Sequence, residues 1–265
     1  MCLIALDYRP DSPAWLRLLA NRDECFARPT ASLGAWTEDP DIIGGRDLVA
    51  GGSWLALHRR GRFAAITNVR DTALASPSDG PSRGHLVPKA LNADDLLAWL
   101  EDLVNGEAWS YAGFNLLVGD RSGLWHLHRG RDALKLNRLP AGLYGLSNAG
   151  LNTPWPKLKL ARQGLAESLS TSTWPQSALA VMHQQQLDIN DQALPDTGVG
   201  LAVERQLAPP FITGETYGTR ATTWLEWRQN GNLEINERRF GPNAQHLGET
   251  HLSLSKECWY APHQA

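Results

Sequence analysis

Apolar residues fall in short runs broken by turn-forming residues along much of the chain. Leu3 to Leu6 and Leu16 to Ala20 flank a polar, proline-containing turn and predict a β-hairpin. Trp54 to His58 and Phe63 to Thr67, around Arg59-Arg60-Gly61-Arg62, predict a second. Phe114 to Val118 and Leu124 to Leu127, around Asp120-Arg121-Ser122-Gly123, predict a third. Thr222 to Trp227 and Leu233 to Asn236 flank Gln229-Asn230-Gly231-Asn232, whose Asn-Gly pair predicts a type I′ turn.

Helical spacing is rarer. Leu96, Leu97, Leu100, Leu103 and Val104 recur at helical intervals behind Asn92, which reads as the cap. Pro154-Trp155-Pro156 opens a second helix containing Leu158, Leu160, Ala161 and Leu165, and Ser177 to Gln186 is a third. Many antiparallel strands with helices inserted between them predict an α+β fold of layered sheets. There is no repeat or long linker, so residues 1–265 read as one domain. The best loop is Ala75-Ser76-Pro77-Ser78-Asp79-Gly80-Pro81, too short to divide the chain.

With 265 residues, 42% hydrophobic and 20% charged, the chain can bury a large core, and its net charge of −3 excludes a basic nucleic-acid footprint. No apolar run reaches the length of a membrane span. Leu3-Ile4-Ala5-Leu6 is too short for a secretory signal, so the expected compartment is the cytoplasm. Cys2, Cys25 and Cys258 form no C-x-x-C, which argues against a disulfide scaffold or zinc knuckle. The sequence leaves the oligomeric state open.

Cys2 changes this plain picture. Methionine is usually removed before a small residue such as cysteine. A mature N-terminal Cys2 would carry a thiol of pKa about 8.5 and an amine of about 7.7–8.0, nucleophile and base on one residue. The alternative is a small buried residue at a strand start. The second hairpin strand then delivers Asn21-Arg22-Asp23-Glu24, polar residues expected directly after it. If the strands pair, Arg22 can favour the thiolate and Asp23 can hold the ammonium. Read alone, the same four residues are a solvated turn.

These residues resemble the NRDE family, also called the transport and Golgi organisation 2 family. The resemblance extends through Arg28-Pro29, Gly51-Gly52-Ser53-Trp54-Leu55, Ala65-Ile66-Thr67-Asn68 and Ser82-Arg83-Gly84. It continues through Phe114-Asn115-Leu116-Leu117, Gly145-Leu146-Ser147-Asn148 and Tyr217-Gly218-Thr219-Arg220, nearly the whole chain. It implies a relation to N-terminal nucleophile hydrolases and their four-layer αββα sandwich of two antiparallel sheets. Matched to cysteine amidases acting on penicillin V and bile salts, Cys2 is the nucleophile and Asp23 its partner at the amine. Asn148 is then an oxyanion donor, Asn68 a second donor, and Arg220 the arginine near the thiol. An oxyanion donor is worth about 2.7–4 kcal/mol. Those amidases place arginine before asparagine, whereas here Asn21 precedes Arg22.

Two functions follow from the resemblance. One is hydrolysis of a small acylated amide, which requires no cofactor or metal. The other is non-catalytic haem trafficking or lipid and acyl-CoA binding, with haem as a carried ligand. His126 and His128 alternate on one strand face and suit either a ligand pair or a solvated edge near Arg129 and Arg131. His58 and His85 are isolated. Trp15, Trp36, Trp54, Trp155 and Trp224 suit a pocket lining or the space between layers. The remaining pocket-forming loops, Ala75 to Arg83 and Gln192 to Gly200, carry no readable code for a substrate.

Overall fold

The structure, a computed structural model, describes residues 2–74 and 80–259. Met1 and most of the Ala75 to Pro81 loop therefore lie outside the described residues. The first hairpin is β1 (Cys2–Tyr8) and β2 (Ala14–Cys25). Then come β3 (Thr30–Ala35), β4 (Ile42–Asp47), β5 (Leu55–His58) and β6 (Arg62–Asn68). Helices α1 (Leu86–Asn92) and α2 (Leu96–Asn105) precede β7 (Phe114–Asp120), β8 (Gly123–Arg129), β9 (Leu134–Leu139) and β10 (Gly142–Leu146). Helices α3 (Pro156–Ser170), α4 (Gln176–Met182) and α5 (Leu201–Gln206) lead to β11 (Tyr217–Arg228), β12 (Leu233–Phe240) and β13 (His246–Leu254).

All strand pairs are antiparallel, in two sheets. One has the order β10-β1-β2-β11-β12-β13, the other β3-β4-β5-β6-β7-β8-β9. Strand alternation sorts the apolar side chains into three cores. Ile4, Leu6, Leu18 and Leu225 of the first sheet meet Leu57, Phe63 and Leu117 of the second between the sheets. Leu3, Ala5 and Leu19, on the opposite face, pack on Leu158, Leu165 and Met182 of α3 and α4. The second sheet's outer face lies under α1 and α2. The layers are thus α, β, β, α, and β1 is buried on both faces, which is why its sequence is a continuous apolar run.

Several local expectations change. The Asn-Gly turn is not type I′, because Gly231 has φ +91° while Asn230 stays at negative φ. The chain takes a longer loop closed by Arg228 N–H to the Asn232 carbonyl. The cap of α2 is Asp95, whose carboxylate accepts from the Ala98 N–H, and Asn92 instead ends α1. The third helix ends at Met182, earlier than its sequence suggests. Pro156 stands in the first turn of α3, as expected. The polar quartet Asn21 to Glu24 continues β2 and is not a turn after it.

Candidate functional site around Cys2

β1 lies between β10 and β2, so Cys2 has a strand on either side. On one side it pairs with Arg22. On the other side the β10 ladder ends at Leu146, opposite Ile4, and the chain just beyond it reaches Cys2 through Ser147, whose hydroxyl donates to the Cys2 carbonyl at 3.3 Å. Cys2, Arg22 and Asp23 then wall a cavity of about 170 Å³ closed from the second sheet by Trp54, Asn68 and Arg83. Cys2 keeps 7% of its surface exposed and borders this cavity at the edge of the inter-sheet core.

The two faces of β2 carry different chemistry. Arg22 shares the inter-sheet side with Cys2; its guanidinium lies 4.2 Å from the Trp54 ring and Nη1 donates to Thr30 Oγ1 at 3.2 Å. Asn21 faces the helices, where Nδ2 donates to the carbonyls of Met182 and Pro210 at 2.8 and 2.9 Å. Its Oδ1 accepts from Thr222. Asp23 lies on that same side and accepts from Thr219 Oγ1 at 2.7 Å. Beneath it, from the first turn of α3, comes the fully buried Lys157, whose Nζ donates to the Leu207 carbonyl at 2.9 Å.

Burial dominates the ionisation of this cluster. It pushes the Cys2 thiol up, against the pull of Arg22. It pushes the Asp23 carboxyl up as well, opposed by the Lys157 ammonium and the Thr219 hydrogen bond. Lys157 itself is lowered to about 8 by burial, with Asp23 the main countering charge. Tyr217 Oη, buried and without a hydrogen-bond partner among the described residues, has its pKa raised by burial and by Asp23 and Cys2.

The sequence-predicted residues do not all converge. Cys2, Arg22, Asp23 and Asn68 share the cavity. Asn148 is fully buried beside it and lines a separate open recess with Arg70, His128 and Trp155. Its Nδ2 donates to the Asn68 carbonyl at 3.0 Å, spending one of two amide hydrogens. Ser147 Oγ lies 3.3 Å from both the Cys2 carbonyl and Asn148 Oδ1.

Arg220 does not reach the thiol's cavity, which corrects the placement the resemblance implied. Thr219 pairs with Asp23 and Ala221 with Arg22, so Arg220 is the extra residue of a β-bulge. It turns into a neighbouring recess, where its guanidinium holds the carbonyls of Cys25 and Arg28 and Thr30 Oγ1. The cations around the thiol are instead Arg22 and Arg83. Arg83 donates to the Gly113 carbonyl at 3.1 Å. Arg28, also at the cavity, is spent on a bidentate pair with Asp47.

Two glycine motifs form the cavity rim by close backbone contact. A Cβ on Gly52 would stand 2.3 Å from the Gly84 carbonyl carbon, and Ser53 N–H donates to the Gly84 oxygen at 3.1 Å. Lys157, Thr219, Tyr217 and the role of Arg83 were not legible as site features. Arg83, in Ser82-Arg83-Gly84, and Tyr217 and Thr219, in Tyr217-Gly218-Thr219-Arg220, carried a signal through the matched motifs, whereas Lys157 carried none.

The other candidates disperse. His126 and His128 form no solvated edge: β8 is internal, and both rings donate to Asn115. His85 contacts the Ala50 carbonyl. His58 lies with Asp39 and Asp41 within 4.8 Å at the far end of β5. There its Nδ1 accepts from Arg60 N–H and Asp39 accepts from Asn92, so these atoms are already engaged. Trp15 fills the inter-sheet core against Trp227 and Phe63, whereas Trp54 lines the cavity.

Among the described residues, no helix is long and apolar enough to cross a membrane. Solved structures similar to the chain include a mutant conjugated bile acid hydrolase from Clostridium perfringens. That match has 10% identity and a TM-score of 0.48 over 97% of this chain and 93% of the other. A Caenorhabditis elegans ortholog of N-acylethanolamine-hydrolyzing acid amidase gives 9% identity and a TM-score of 0.39, over 78% and 98%. At these values the layering rests on this chain's own sheets and helices.

Sequence relatives are nearer. The Mus musculus Transport and Golgi organization 2 homolog is 33% identical over 260 residues, 90% of this chain and 92% of that protein. The Homo sapiens homolog is 34% identical over 262 residues, with the same shares. The Drosophila melanogaster protein is 27% identical over 263 residues, 91% of this chain and 84% of its own. The family description Transport and Golgi organisation 2 covers residues 1–242, which hold Cys2, the Asn21 to Glu24 quartet, Asn148 and the Thr219 bulge alike. The chain that builds this cavity belongs to the Transport and Golgi organisation 2 family.

Proposed function

We propose that this protein is an N-terminal nucleophile amidohydrolase-like protein that cleaves the C–N bond of a small acylated substrate. Removal of Met1 frees the Cys2 amine, which Asp23 holds. The amine takes the thiol proton as sulfur attacks the amide carbonyl, and Asn148 and Asn68 donate to the oxyanion. The C–N bond breaks, the leaving amine takes that proton, and water hydrolyses the thioester to release the acid and restore the thiol. Because burial holds the thiol in its protonated form, the amine is the base this scheme requires.

The observation that carries the reading is that Cys2, Arg22, Asp23 and Asn68 border one cavity, with Asn148 tied to its edge through the Asn68 carbonyl. The test is a panel of acyl amides with intact-mass analysis of the purified protein. The reading requires loss of Met1 and acyl release that disappears in Cys2→Ala. Retained Met1, or release unchanged in Cys2→Ala, overturns it.

A second reading, a carrier of haem or of a lipid or acyl-CoA ligand, is favoured by Arg22 and Arg83 at the cavity, whose positive charges suit a carboxylate or phosphate group. Haem titration followed in the Soret region, with Cys2→Ala alongside, tests it: a saturable band dependent on Cys2 supports carriage with thiolate ligation.

A further inference from the structure

A buried hydrogen-bond chain crosses from the second sheet to the segment after β10 and ends at Ser147 and Ala149; the Ser147 hydroxyl in turn donates to the Cys2 carbonyl at 3.3 Å. On β7, Asn115 is fully buried. Its Oδ1 accepts from His126 Nε2 at 3.1 Å and His128 Nδ1 at 2.7 Å. Two donors on that oxygen fix which way the amide faces. Its Nδ2 then donates twice, to Thr67 Oγ1 at 3.1 Å and to the Ala149 carbonyl at 2.8 Å. Thr67 passes its own proton to the Ser147 carbonyl at 2.6 Å. The carbonyls of residues 147 and 149 are thus gripped from the opposite sheet. Between them lies Asn148, whose own carbonyl accepts from Arg70 N–H at 2.7 Å.

β10 itself ends at Leu146, so the sheet ladder does not hold this segment. The grip is supplied across the sandwich. Asn115 is not itself one of the residues lining the Cys2 cavity. A generic buried asparagine needs partners, but nothing requires them to be the two carbonyls that bracket Asn148.

We propose that Asn115 is a positioning residue: oriented by His126 and His128, it clamps Ser147 to Ala149 so that the Asn148 amide stays beside Cys2. The inference rests on the reading of Cys2 as an acyl acceptor for its kinetic consequence, though not for its geometry. The histidine pair then has a job that is neither ligand binding nor solvation.

The experiment compares two reactions at Cys2 in the mature protein. Acylation by an activated aryl ester develops an oxyanion; alkylation by iodoacetamide does not. In Asn115→Ala, acylation should fall by about tenfold or more while alkylation stays within about twofold, as Asn148→Ala should also behave. Thr67→Val, nearly isosteric, breaks the same chain and should give the same split if Asn115→Ala folds poorly. Equal loss of both reactions, or no loss of acylation, in folded variants overturns the proposal. Side-chain amide ¹⁵N–H signals of Asn148, assigned by their disappearance in Asn148→Ala, give a readout independent of turnover. They should shift and broaden in Thr67→Val, and unchanged signals overturn the clamp. Failure of the wild type to acylate at Cys2 instead counts against the amidohydrolase reading, and the amide signals still decide the clamp.

Discussion

Thr219 donates its hydroxyl to Asp23 Oδ1 at 2.7 Å across paired strands β11 and β2. Three positions further on, Thr222 does the same for Asn21 at 2.7 Å. An odd offset places two residues of a regular strand on opposite faces; here they share one because Arg220 is bulged out between them. The bulge that removes Arg220 from the thiol therefore supplies Asp23 with its hydroxyl partner.

Thr219→Val keeps shape and deletes that donor. A buried carboxyl left short of a hydrogen bond should cost about 1–3 kcal/mol. The Asp23 carboxyl should also move further up, since Thr219 is one of the groups pulling it down. Urea unfolding at neutral pH and near pH 4 checks both effects. The loss should shrink at low pH, where Asp23 is protonated in either variant; equal losses would refute the role assigned to the hydroxyl.

Lys157 and Asp23 act on each other in a space closed to water. The two interact through charge beyond ion-pair distance, Lys157 bonding the Leu207 carbonyl, so removing one leaves the other less compensated, whereas removing both is milder. Lys157→Met should thus be markedly destabilising, and Asp23→Asn in addition should restore part of the loss. A double-mutant cycle in chemical denaturation measures the coupling, and strict additivity would show that the two do not form a unit.

Much of the fold was legible because its evidence was local. Four hairpins were visible since each pair of apolar runs is joined by a short turn, and Pro156 marked the start of α3. Strands β3, β4, β9 and β13 were not read: Thr-Ala-Ser-Leu-Gly-Ala and Ile-Ile-Gly-Gly-Arg-Asp carry glycines and small polar residues, and β13 is mostly exposed. The polar quartet was taken out of β2 because polar residues inside a buried strand need partners. Those partners, at Met182, Pro210, Thr219 and Thr222, are far away in sequence. Lys157 gave no signal for the same reason, being one lysine in a helix until folding buries it beneath Asp23.

The two arginines carried over from the family should now separate. Arg22 pairs with Cys2 and lowers its thiol, whereas Arg220 holds the Cys25 and Arg28 carbonyls. Arg22→Leu should slow iodoacetamide alkylation of Cys2 near neutral pH by several-fold, because the thiol loses a nearby positive charge that favours its thiolate. Arg220→Gln should leave that rate near wild type while loosening the turn after β2, seen as faster amide exchange at residues 25–30. The reverse pattern would restore Arg220 to the thiol.

His126 sits inside the Asn115 network with its pKa lowered to about 3 by burial and the neighbouring His128. In the unfolded chain it protonates near 6.5, so between these values the unfolded state binds more protons and stability rises with pH. His126 thus contributes stability present above about pH 6.5 and lost as pH falls towards 3, on the order of a few kcal/mol in all. His183, lowered to about 4, adds to the same slope. His126→Gln, which keeps an N–H for Asn115, should flatten the acid limb of a stability–pH curve without abolishing it. An unaltered limb would mean that His126 is not carried unprotonated in the fold.

Tyr217 offers the sharpest separation of folding from function. Its hydroxyl is buried without a hydrogen-bond partner among the described residues, yet it feels both Asp23 and Cys2. An orphaned buried hydroxyl costs stability, so Tyr217→Phe should leave the protein as stable as wild type or more stable by up to about 1–2 kcal/mol. If the hydroxyl is kept for the substrate or for the freed Cys2 amine, the same variant should acylate more slowly at Cys2. Thermal melts and ester acylation of one preparation measure the two together. A less stable Tyr217→Phe protein would mean that the hydroxyl has a partner in the folded chain after all. A stabilised variant with undiminished acylation would remove Tyr217 from the site.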